Sequence, residues 1–277
     1  MRPSEVVRHA AEYLERHRVE SPLTNAEVLL AGVLGVDRSG LYRRSEALSA
    51  AEARLFGRSL CRRCAGTPLQ HITHEQGFRR LTLEVRPGVF VPRPETETVV
   101  EVALQAIRGL DAPNVIDLGT GSGAIALAIA DEHPGANVWG VDLAPDAVSL
   151  AAANAERLGS DIVVVLGDLW EAVPSTLKGV VDLVITNPPY LESEVLVDLS
   201  SEVRADPRAA LVGGMATHRR VMAPVVVWLR TGGVFVTEIG EGQGPEVVAL
   251  AEAAGLNGVA IHQDLNRRDR AVSGRKP

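Results

Sequence analysis

The stretch Val115-Ile-Asp-Leu-Gly-Thr-Gly-Ser-Gly123 decides the fold of this chain. Apolar residues run into a loop with three glycines, and a helix-forming segment begins at once with Ala124. Glycine suits such a loop because a Cβ would block both the tight turn and the close approach of the backbone to a ligand. The free N–H groups at the start of the helix can then bind a polar or anionic part of that ligand. The stretch therefore predicts a strand, a ligand-binding turn and a helix.

The next predicted strand closes with an acid, Asp142, which lies 142 − 123 = 19 residues after Gly123. An acid in that position can accept both hydroxyls of a ribose. Gly119, Gly121 and Ala124 also satisfy the dinucleotide pattern G-x-G-x-x-G/A, so a nicotinamide or flavin cofactor fits this segment as well. The loop and the acid together indicate a nucleoside-containing cofactor and leave its identity open.

Outward from this loop, apolar β-branched runs alternate with segments of helical periodicity. Such alternation predicts an α/β protein with a mainly parallel, doubly wound sheet that has helices on both faces. The predicted strands are 115–118, 138–141, 162–166, 181–186, 234–239 and two near 258–262 and 271–274, and the predicted helices are 96–108, 124–133, 145–158, one near 219–230 and 244–254.

The first 75 residues have a different pattern, that of short helices. Ser4 is a candidate cap for the first helix, and the second spans about 24–34 and stops at Gly35. The third begins with a capping box of Ser49 and Glu52, in which each side chain satisfies a free backbone N–H. Alternating apolar residues from Leu81 onward then indicate a strand.

Composition and charge narrow the class of protein. The chain has 277 residues, of which 46% are hydrophobic and 23% charged, as in soluble globular proteins. No apolar run approaches the ~18 residues of a membrane span, and the two cysteines cannot form a disulfide framework. Residues 1–93 carry 15 basic and 10 acidic side chains, whereas residues 94–277 carry 13 and 25, for a net charge of −7. We expect a cytoplasmic protein without a membrane partner.

The fourth predicted strand ends in Asn187-Pro188-Pro189-Tyr190, which should face the same crevice as the glycine loop. Proline has no N–H, so the loop is rich in hydrogen-bond acceptors, and Asn187 adds a side-chain carbonyl. Such a site can hold a planar –NH2 group, with Tyr190 as a flat face to stack on. Acceptors on both hydrogens favour the geometry of attack by a weakly nucleophilic nitrogen and stabilise its growing positive charge. The motif therefore predicts transfer of an electrophilic carbon to an amide or exocyclic amine.

With these motifs the sequence resembles the class I S-adenosylmethionine-dependent methyltransferases. More narrowly it resembles the peptide chain release factor glutamine methyltransferases of the PrmC/HemK type. The segments that carry the resemblance are Thr67–Gln70 with Ile72-Thr73 and Phe78, Val91–Glu97, Asp117–Gly123, Asn187–Tyr190, Glu202–Arg204, Pro207-Arg208 with Ala210-Leu211, Glu238–Gly240 with Gln243-Gly244, and Asp264-Leu265 with Arg268–Arg270.

The resemblance implies an α/β fold with a seven-stranded, Rossmann-like methyltransferase sheet and a small N-terminal helical bundle. Residues 1–75 would form the helical substrate-recognition domain, residues 76–93 a β-hairpin linker, and residues 94–277 the methyltransferase domain. The implied substrate is the glutamine in the Gly-Gly-Gln motif of release factors, which makes them the protein partner. Its side-chain amide nitrogen would be methylated by S-adenosyl-L-methionine, with S-adenosyl-L-homocysteine as the product and no metal.

The resemblance also implies residue roles. The loop would hold the methionine part of the cofactor, Asp142 its ribose, and Asp168 with Leu169 would border the adenine. Asn187 and the Pro188 carbonyl would bind the substrate amide, with Tyr190 packed against it. The cofactor-binding candidates are Gly119, Thr120, Gly121, Ser122, Gly123, Asp142, Asp168, Leu169 and Asn187; the catalytic candidates are Asn187, Pro188 and Tyr190; and the substrate-binding candidates are Asn187, Pro188, Pro189 and Tyr190.

The sequence departs from the family near the expected substrate face. His74 stands where the family usually has glycine, and the stretches after Gly214 and between Glu202 and Pro207 are short. Methylation of another glutamine, such as one on a ribosomal protein, therefore stays open. Methylation of adenine N6 in nucleic acid is a weaker alternative because the catalytic part of the chain is acidic. A nicotinamide-dependent oxidoreductase and a non-catalytic binding module are the remaining alternatives.

Three other features favour structural roles. Cys61 and Cys64 with the two nearby histidines, His71 and His74, could ligate zinc, but both cysteines fall on a predicted helix and are expected to face the bundle interior. Trp170 could cover the adenine or pack into the core. An acidic run after the motif is typical of a solvated face or a partner contact; its members are Glu192, Glu194, Asp198 and Glu202.

Overall fold

A computed structural model describes residues 1–200 and 202–277, with the backbone alone for Asp198. The chain divides into two compact units. The helical unit comprises Met1–Glu75 together with Ser200–Ala205, and the sheet unit comprises Gln76–Leu199 together with Asp206–Pro277. The chain therefore enters the helical unit twice, the second time shortly after the Asn-Pro-Pro-Tyr motif.

The helical unit is built from amphipathic helices around one apolar core. Its central side chains include Val7 and Leu14 of the first helix, Leu30 of the second and Phe56 of the fourth, all buried. The helices are α1 (Pro3–Arg16), α2 (Pro22–Leu34), α3 (Arg38–Arg43), α4 (Ala50–Cys64) and α5 (Leu69–Thr73).

Two of the three predicted helix boundaries agree with the structure. The Ser49 N–H donates to Glu52 Oε2 at 2.7 Å, and the Glu52 N–H donates to Ser49 Oγ at 3.2 Å, which forms the capping box of α4. Gly35 ends α2 in the left-handed conformation with φ 63°. The cap at Ser4 was wrong, because α1 begins one residue earlier at Pro3. Proline is favoured at the first helical position, where its missing N–H would have no partner in any case.

Arg63 ties the returning segment of the chain into the helical unit. Its side chain is only 7% exposed and forms an ion pair with Glu202. Its Nε donates to Asn25 Oδ1 at 2.7 Å, and its Nη1 donates to the Thr67 carbonyl at 3.2 Å. A buried guanidinium needs such partners because an unpaired buried charge is costly.

The sheet unit follows the alternation of strands and helices expected from the sequence. A two-stranded sheet comes first, formed by β1 (Glu75–Phe78) and β2 (Leu81–Glu84). The elements that follow are α6 (Thr96–Ile107), β3 (Asn114–Leu118), α7 (Ala124–Glu132), β4 (Asn137–Asp142), α8 (Pro145–Leu158), β5 (Val163–Leu166), β6 (Val181–Thr186), α9 (Arg208–Leu211), α10 (Gly214–Met222), α11 (Val225–Trp228), β7 (Leu229–Glu238), α12 (Gly244–Ala253), β8 (Asn257–Gln263) and β9 (Asp269–Arg275).

Seven of the strands in the described part of the chain form one sheet in the order β5-β4-β3-β6-β7-β9-β8. The pairs from β5 to β7 are parallel, and β9 runs antiparallel to both of its neighbours. Alternate residues of one strand face opposite sides, so that Leu183 and Ile185 belong to one apolar core and Val184 to the other. The predicted α/β class with a seven-stranded, Rossmann-like sheet is confirmed.

The predicted helix near 219–230 was wrong. The structure has two shorter helices there, separated by Pro224, and β7 begins at Leu229 rather than at Val234. Proline cannot continue a helix because it lacks the N–H and its ring clashes with the preceding turn. The early part of β7 contains a register shift opposite Val181, where Gly232 adopts φ 77°. Within the described residues, no helix is both long enough and apolar enough to cross a lipid bilayer.

Candidate active site

The glycine loop between β3 and α7 has the conformation that its sequence requires. Gly119, Gly121 and Gly123 all have left-handed φ values, of 76°, 58° and 84°. A Cβ on Gly121 would meet no atom within 4 Å, so the backbone at this turn is open to a ligand. A Cβ on Gly123 would lie 3.1 Å from Leu127 Cδ1 and 3.2 Å from Ala151 Cβ, because α7 and α8 pack closely here.

Asp142 is joined to this loop by a hydrogen bond. Its Oδ2 accepts the Gly121 N–H at 2.8 Å, and its Oδ1 accepts the Ala144 N–H at 2.9 Å. The carboxylate is therefore fixed in orientation at the end of β4, directly beside the glycine turn. Each of its oxygens keeps lone-pair capacity for further donors such as hydroxyl groups.

A second acid, Asp117, lies buried beneath the loop. Its Oδ2 accepts the Thr120 hydroxyl at 2.7 Å. Burial raises the pKa of Asp117 to about 7, and the hydrogen bonds from the Thr120 hydroxyl and the Ala126 backbone oppose this rise. The glycine loop is thus tied through Thr120 to a buried carboxyl group.

Asp168 and Leu169 follow β5, on the other side of β4 from the glycine loop. Asp168 Oδ2 accepts a hydrogen bond from Arg220 Nη2 at 2.7 Å, and both side chains are partly exposed. Trp170 stacks on Trp228 with ring centroids 5.4 Å apart, and its Nε1 donates to the Val221 carbonyl at 2.8 Å. These contacts give Trp170 a core-packing role.

The Asn-Pro-Pro-Tyr motif leaves the sheet at the same edge as the glycine loop. Strands β3 and β6 are parallel neighbours, and Thr186 pairs with Leu118 at their carboxyl ends. The Thr186 hydroxyl also donates to the Leu118 carbonyl at 2.6 Å. The structure therefore brings Asn187, directly after β6, and Gly119, directly after β3, to adjacent positions.

A hydrogen-bonded chain holds Asn187, and two of its members, Thr96 and Glu238, were not among the predicted site residues. Asn187 Nδ2 donates to Thr96 Oγ1 at 3.1 Å, and the Thr96 hydroxyl donates to Glu238 Oε2 at 2.6 Å. The other oxygen of Glu238, Oε1, accepts the Tyr190 hydroxyl at 3.1 Å. Thr96 and Glu238 are both buried.

The electrostatics of this cluster are set by the burial of Glu238 at the end of β7. Burial raises the pKa of Glu238 to about 7, against hydrogen bonds from Thr96 and Tyr190 and the positive charge of Arg270. Burial and the Glu238 carboxylate raise the pKa of Tyr190, so its hydroxyl remains a donor. Glu238 could have been found from its place, because polar groups at the carboxyl ends of neighbouring strands meet at one edge.

The chain is similar to known proteins over nearly its whole length. Residues 5–73 match the family described as PrmC N-terminal domain, and residues 80–213 match the Methyltransferase small domain. The release factor glutamine methyltransferase of Streptomyces coelicolor is 42% identical over 277 residues, covering 98% of this chain and 96% of that protein. The enzyme of the same name from Moorella thermoacetica is 38% identical, covering 91% and 90%. The chain belongs to the release factor glutamine methyltransferase family.

One solved structure supports the fold alone. The 16S rRNA N2 G1207 methyltransferase of T. thermophilus, in complex with AdoMet and guanosine, is 22% identical and superposes with a TM-score of 0.54. The match covers 73% of this chain and 50% of that one. The sheet of this family member therefore has the same fold as the sheet of that protein.

Gln243 holds the far end of the motif in this member of the family. Its Nε2 donates to the Tyr190 carbonyl at 2.9 Å, and its Oε1 accepts the Gly240 N–H at 2.9 Å. On the other side, a Cβ on Gly213 would clash with the Pro189 carbonyl oxygen, so the backbone there approaches the motif closely. The loop after β6 is therefore hydrogen-bonded to Gln243 and closely approached by Gly213.

The other sequence candidates are spread over the chain. Cys61 is exposed, contrary to the expectation that both cysteines face the bundle interior, whereas Cys64 packs partly against the helical core. Among the described residues, no group of three or more His, Cys, Asp and Glu side chains is arranged to hold a metal ion. In the acidic run, Glu192 and Glu194 are exposed and Glu202 pairs with Arg63, while the side chain of Asp198 lies outside the described residues.

Proposed function

We propose that this chain methylates the side-chain amide nitrogen of the glutamine in the Gly-Gly-Gln motif of peptide chain release factors. The observation that supports this most strongly is the position of Asn187. It follows β6 beside the glycine loop, and its amide nitrogen is already engaged by Thr96. Its carbonyl oxygen is therefore the end of the amide that is available to a substrate.

The residues of the loop fit S-adenosyl-L-methionine. The open backbone at Gly121 suits the methionine part, the fixed carboxylate of Asp142 suits the ribose hydroxyls, and Asp168 with Leu169 is assigned to the adenine. Helix α7 starts directly after Gly123 and offers free N–H groups to the methionine carboxylate. When bound, this cofactor supplies an electrophilic methyl group and leaves as S-adenosyl-L-homocysteine.

The part of the chain in the reaction is to position and polarise the glutamine amide. An amide nitrogen is a weak nucleophile because its lone pair is delocalised into the carbonyl. Asn187 Oδ1 and the Pro188 carbonyl accept its two N–H groups, which favours pyramidal nitrogen and stabilises positive charge as it grows. Pro189 and the ring of Tyr190, held by Glu238, pack against the flat face of the amide.

The excess proton on the methylated nitrogen points at these same acceptors and passes from them to water. Placing the nitrogen in line with the methyl group supplies the remaining rate advantage, because orientation converts a bimolecular encounter into an intramolecular step. Asn187, Pro188 and Tyr190 are thus the catalytic residues of this proposal, and no metal takes part.

The two units of the chain would divide the work. We assign residues 1–75 to recognition of the protein substrate, residues 76–93 to a hairpin linker, and residues 94–277 to catalysis. Residues 94–277 carry 13 basic and 25 acidic side chains, which disfavours a nucleic-acid substrate because its phosphates are also negative. The cytoplasm is the compartment where a release factor would be met.

The direct test is methyl transfer from labelled cofactor to a purified release factor. We expect label on the wild-type factor and none when the glutamine of its Gly-Gly-Gln motif is replaced. Label that persists after the glutamine is replaced would show that this glutamine is not the methylated residue. Label on ribosomal proteins instead, or on DNA or RNA, would favour the corresponding alternative.

Calorimetry tests the cofactor separately. We expect S-adenosyl-L-methionine to bind and NAD not to bind, and the reverse result would overturn the cofactor assignment. Asn187→Ala should lower the rate of transfer by more than ~100-fold, since it removes an acceptor that is needed most in the transition state. Its affinity for the cofactor should stay mostly intact, because the other cofactor-binding candidates, the glycine loop and Asp142 among them, are unchanged.

A further inference from the structure

The orientation of the Asn187 amide is the feature on which the proposed site depends. The oxygen and nitrogen ends of an asparagine amide are nearly equal in size, so sterics alone do not choose between them. Only the oxygen end can accept an N–H from a substrate glutamine. A flip would place –NH2 against –NH2 and disable the site.

The partners of Asn187 determine this orientation through the number of protons that each carries. An ionised Glu238 can only accept, and it accepts from Thr96 at Oε2 and from Tyr190 at Oε1. Thr96 has one hydroxyl proton, which is directed at Glu238 at 2.6 Å. The Thr96 oxygen therefore offers Asn187 only lone pairs, so the group facing it at 3.1 Å must be the Asn187 –NH2.

We propose that Thr96 and Glu238 form a one-way hydrogen-bond relay that locks the Asn187 amide with its carbonyl oxygen toward the substrate glutamine. This inference rests on the proposed function and adds two positioning residues to it. Thr96 contacts the reacting amide only through Asn187, and Glu238 only through Thr96 and Tyr190. Both are buried, which keeps water from competing for these bonds.

The charge of Glu238 gives the relay its direction. A protonated Glu238 has a proton of its own to donate, so the Thr96 hydroxyl becomes free to turn toward Asn187. The amide can then present either end. The relay therefore requires the ionised carboxylate, and methyl transfer should weaken as Glu238 takes up a proton.

The groups that face Glu238 come from four parts of the sheet unit. Arg270 of β9 favours the ionised form, whereas Glu95, just before α6, opposes it. Tyr190 of the motif loop donates to Glu238 Oε1 and is itself neutral. His218 of α10 lies 3.1 Å from the main-chain carbonyl of Glu238, and burial lowers its pKa, which keeps its ring uncharged near neutral pH.

The first experiment compares isosteric variants in steady-state methylation of the release factor. Thr96→Val removes the hydroxyl but keeps the shape of the side chain. We expect it to lower kcat by about 10- to 100-fold, the usual effect of losing a residue that only orients a reacting group. KM for the cofactor should stay within about twofold, because Thr96 makes no bond to the glycine loop or to Asp142. Thr96→Ser, which restores the hydroxyl, should recover most of the rate.

Thr237→Val is the matched control. Thr237 is also buried and lies next to Glu238, but its hydroxyl donates to the main-chain carbonyl of Glu238 at 3.1 Å and not to the relay. It should keep the wild-type kcat. A Thr96→Val enzyme as active as the Thr237→Val enzyme would overturn the relay.

The second experiment reads the relay without any turnover, by NMR of the Asn187 side-chain –NH2 in 15N-labelled protein. The resonance is assigned by its loss in Asn187→Ala. We expect it to shift with pH as Glu238 titrates in wild type, and to become insensitive to pH in both Thr96→Val and Glu238→Gln. A turnover measurement complements it: the fall of kcat at acid pH should disappear in Glu238→Gln. This variant tests the relay if Thr96→Val does not fold.

The two proposals can fail separately. If release factor is not methylated but the –NH2 resonance titrates and loses its titration in the variants, the substrate assignment fails and the relay stands. If release factor is methylated and the resonance ignores pH, the relay fails and the proposed function stands.

Discussion

Glu238→Gln should alter how the stability of the sheet unit depends on pH. The side chain is 2% exposed, and burial raises the pKa of its carboxyl from 4.5 to about 7. The folded state therefore binds this proton more tightly than the unfolded state does. The contribution of Glu238 to stability is fully present below the unfolded pKa and is lost as the pH rises from about 4.5 to about 7.

The size of the loss follows from the two pKa values. Their difference, 7 − 4.5 = 2.5, at about 1.36 kcal/mol per pH unit corresponds to about 3 kcal/mol of unfolding free energy. Glutamine has nearly the same shape and does not titrate, so the variant lacks this term. The unfolding free energy of the wild-type protein, relative to that of the variant, should fall steadily from pH 4.5 to 7. Above pH 7 the difference between the two should stay constant.

Urea unfolding monitored by tryptophan fluorescence can measure this difference. The three tryptophans of the chain are Trp139, Trp170 and Trp228, and all lie in the sheet unit, so their emission reports on that unit alone. Burial also raises the pKa of Asp117 to about 7, but this contribution is common to both proteins and cancels in the difference. Stability curves that stay parallel from pH 4.5 to 8.5 would refute the assigned burial cost of Glu238.

Two further predictions concern packing and charge. Gly140→Ala would place a Cβ 2.8 Å from Thr120 Oγ1 in the glycine loop. Calorimetry should therefore show the affinity for the cofactor weakened by roughly tenfold. Gly57→Ala is the control, because its Cβ would lie in open space on α4 and should leave the affinity unchanged. An unaltered Kd for the Gly140 variant would show that this part of β4 does not shape the proposed cofactor site. Arg79→Ala leaves Glu132, whose side chain is 9% exposed, without its main cationic partner. Urea unfolding should show a loss of about 2 kcal/mol, and a loss below ~0.5 kcal/mol would contradict a structural role for the pair.

The parts of the fold that local sequence signals encode were predicted well. The strands that flank the glycine loop are short apolar runs bounded by turn residues, and the capping box at Ser49 is a four-residue signal. The prediction was wrong where two signals compete. The valines after Pro224 do form a short helix, α11, but Pro224 separates it from α10, and pairing with β6 makes Leu229 and Arg230 part of β7.

The relay could not be predicted from spacing. Thr96 and Glu238 are 142 residues apart, and Asn187 lies 91 residues from Thr96, so no local pattern joins them. The glycine loop and the Asn-Pro-Pro-Tyr motif are different, because each carries its own chemistry within a few residues. Sequence reasoning therefore finds the groups that would touch ligands more readily than the groups that orient them.

The return of the chain into the helical unit has a consequence for how this protein can be divided. A gene fragment that ends at Glu75 would encode α1 to α5 of that unit but omit Ser200–Ala205, and with it the Glu202 carboxylate that pairs with Arg63. Exchange of the helical unit between relatives at a single crossover would leave the same mismatch. Chimeras of this chain have to exchange two separate stretches together, because two separate segments of the gene encode the helical unit.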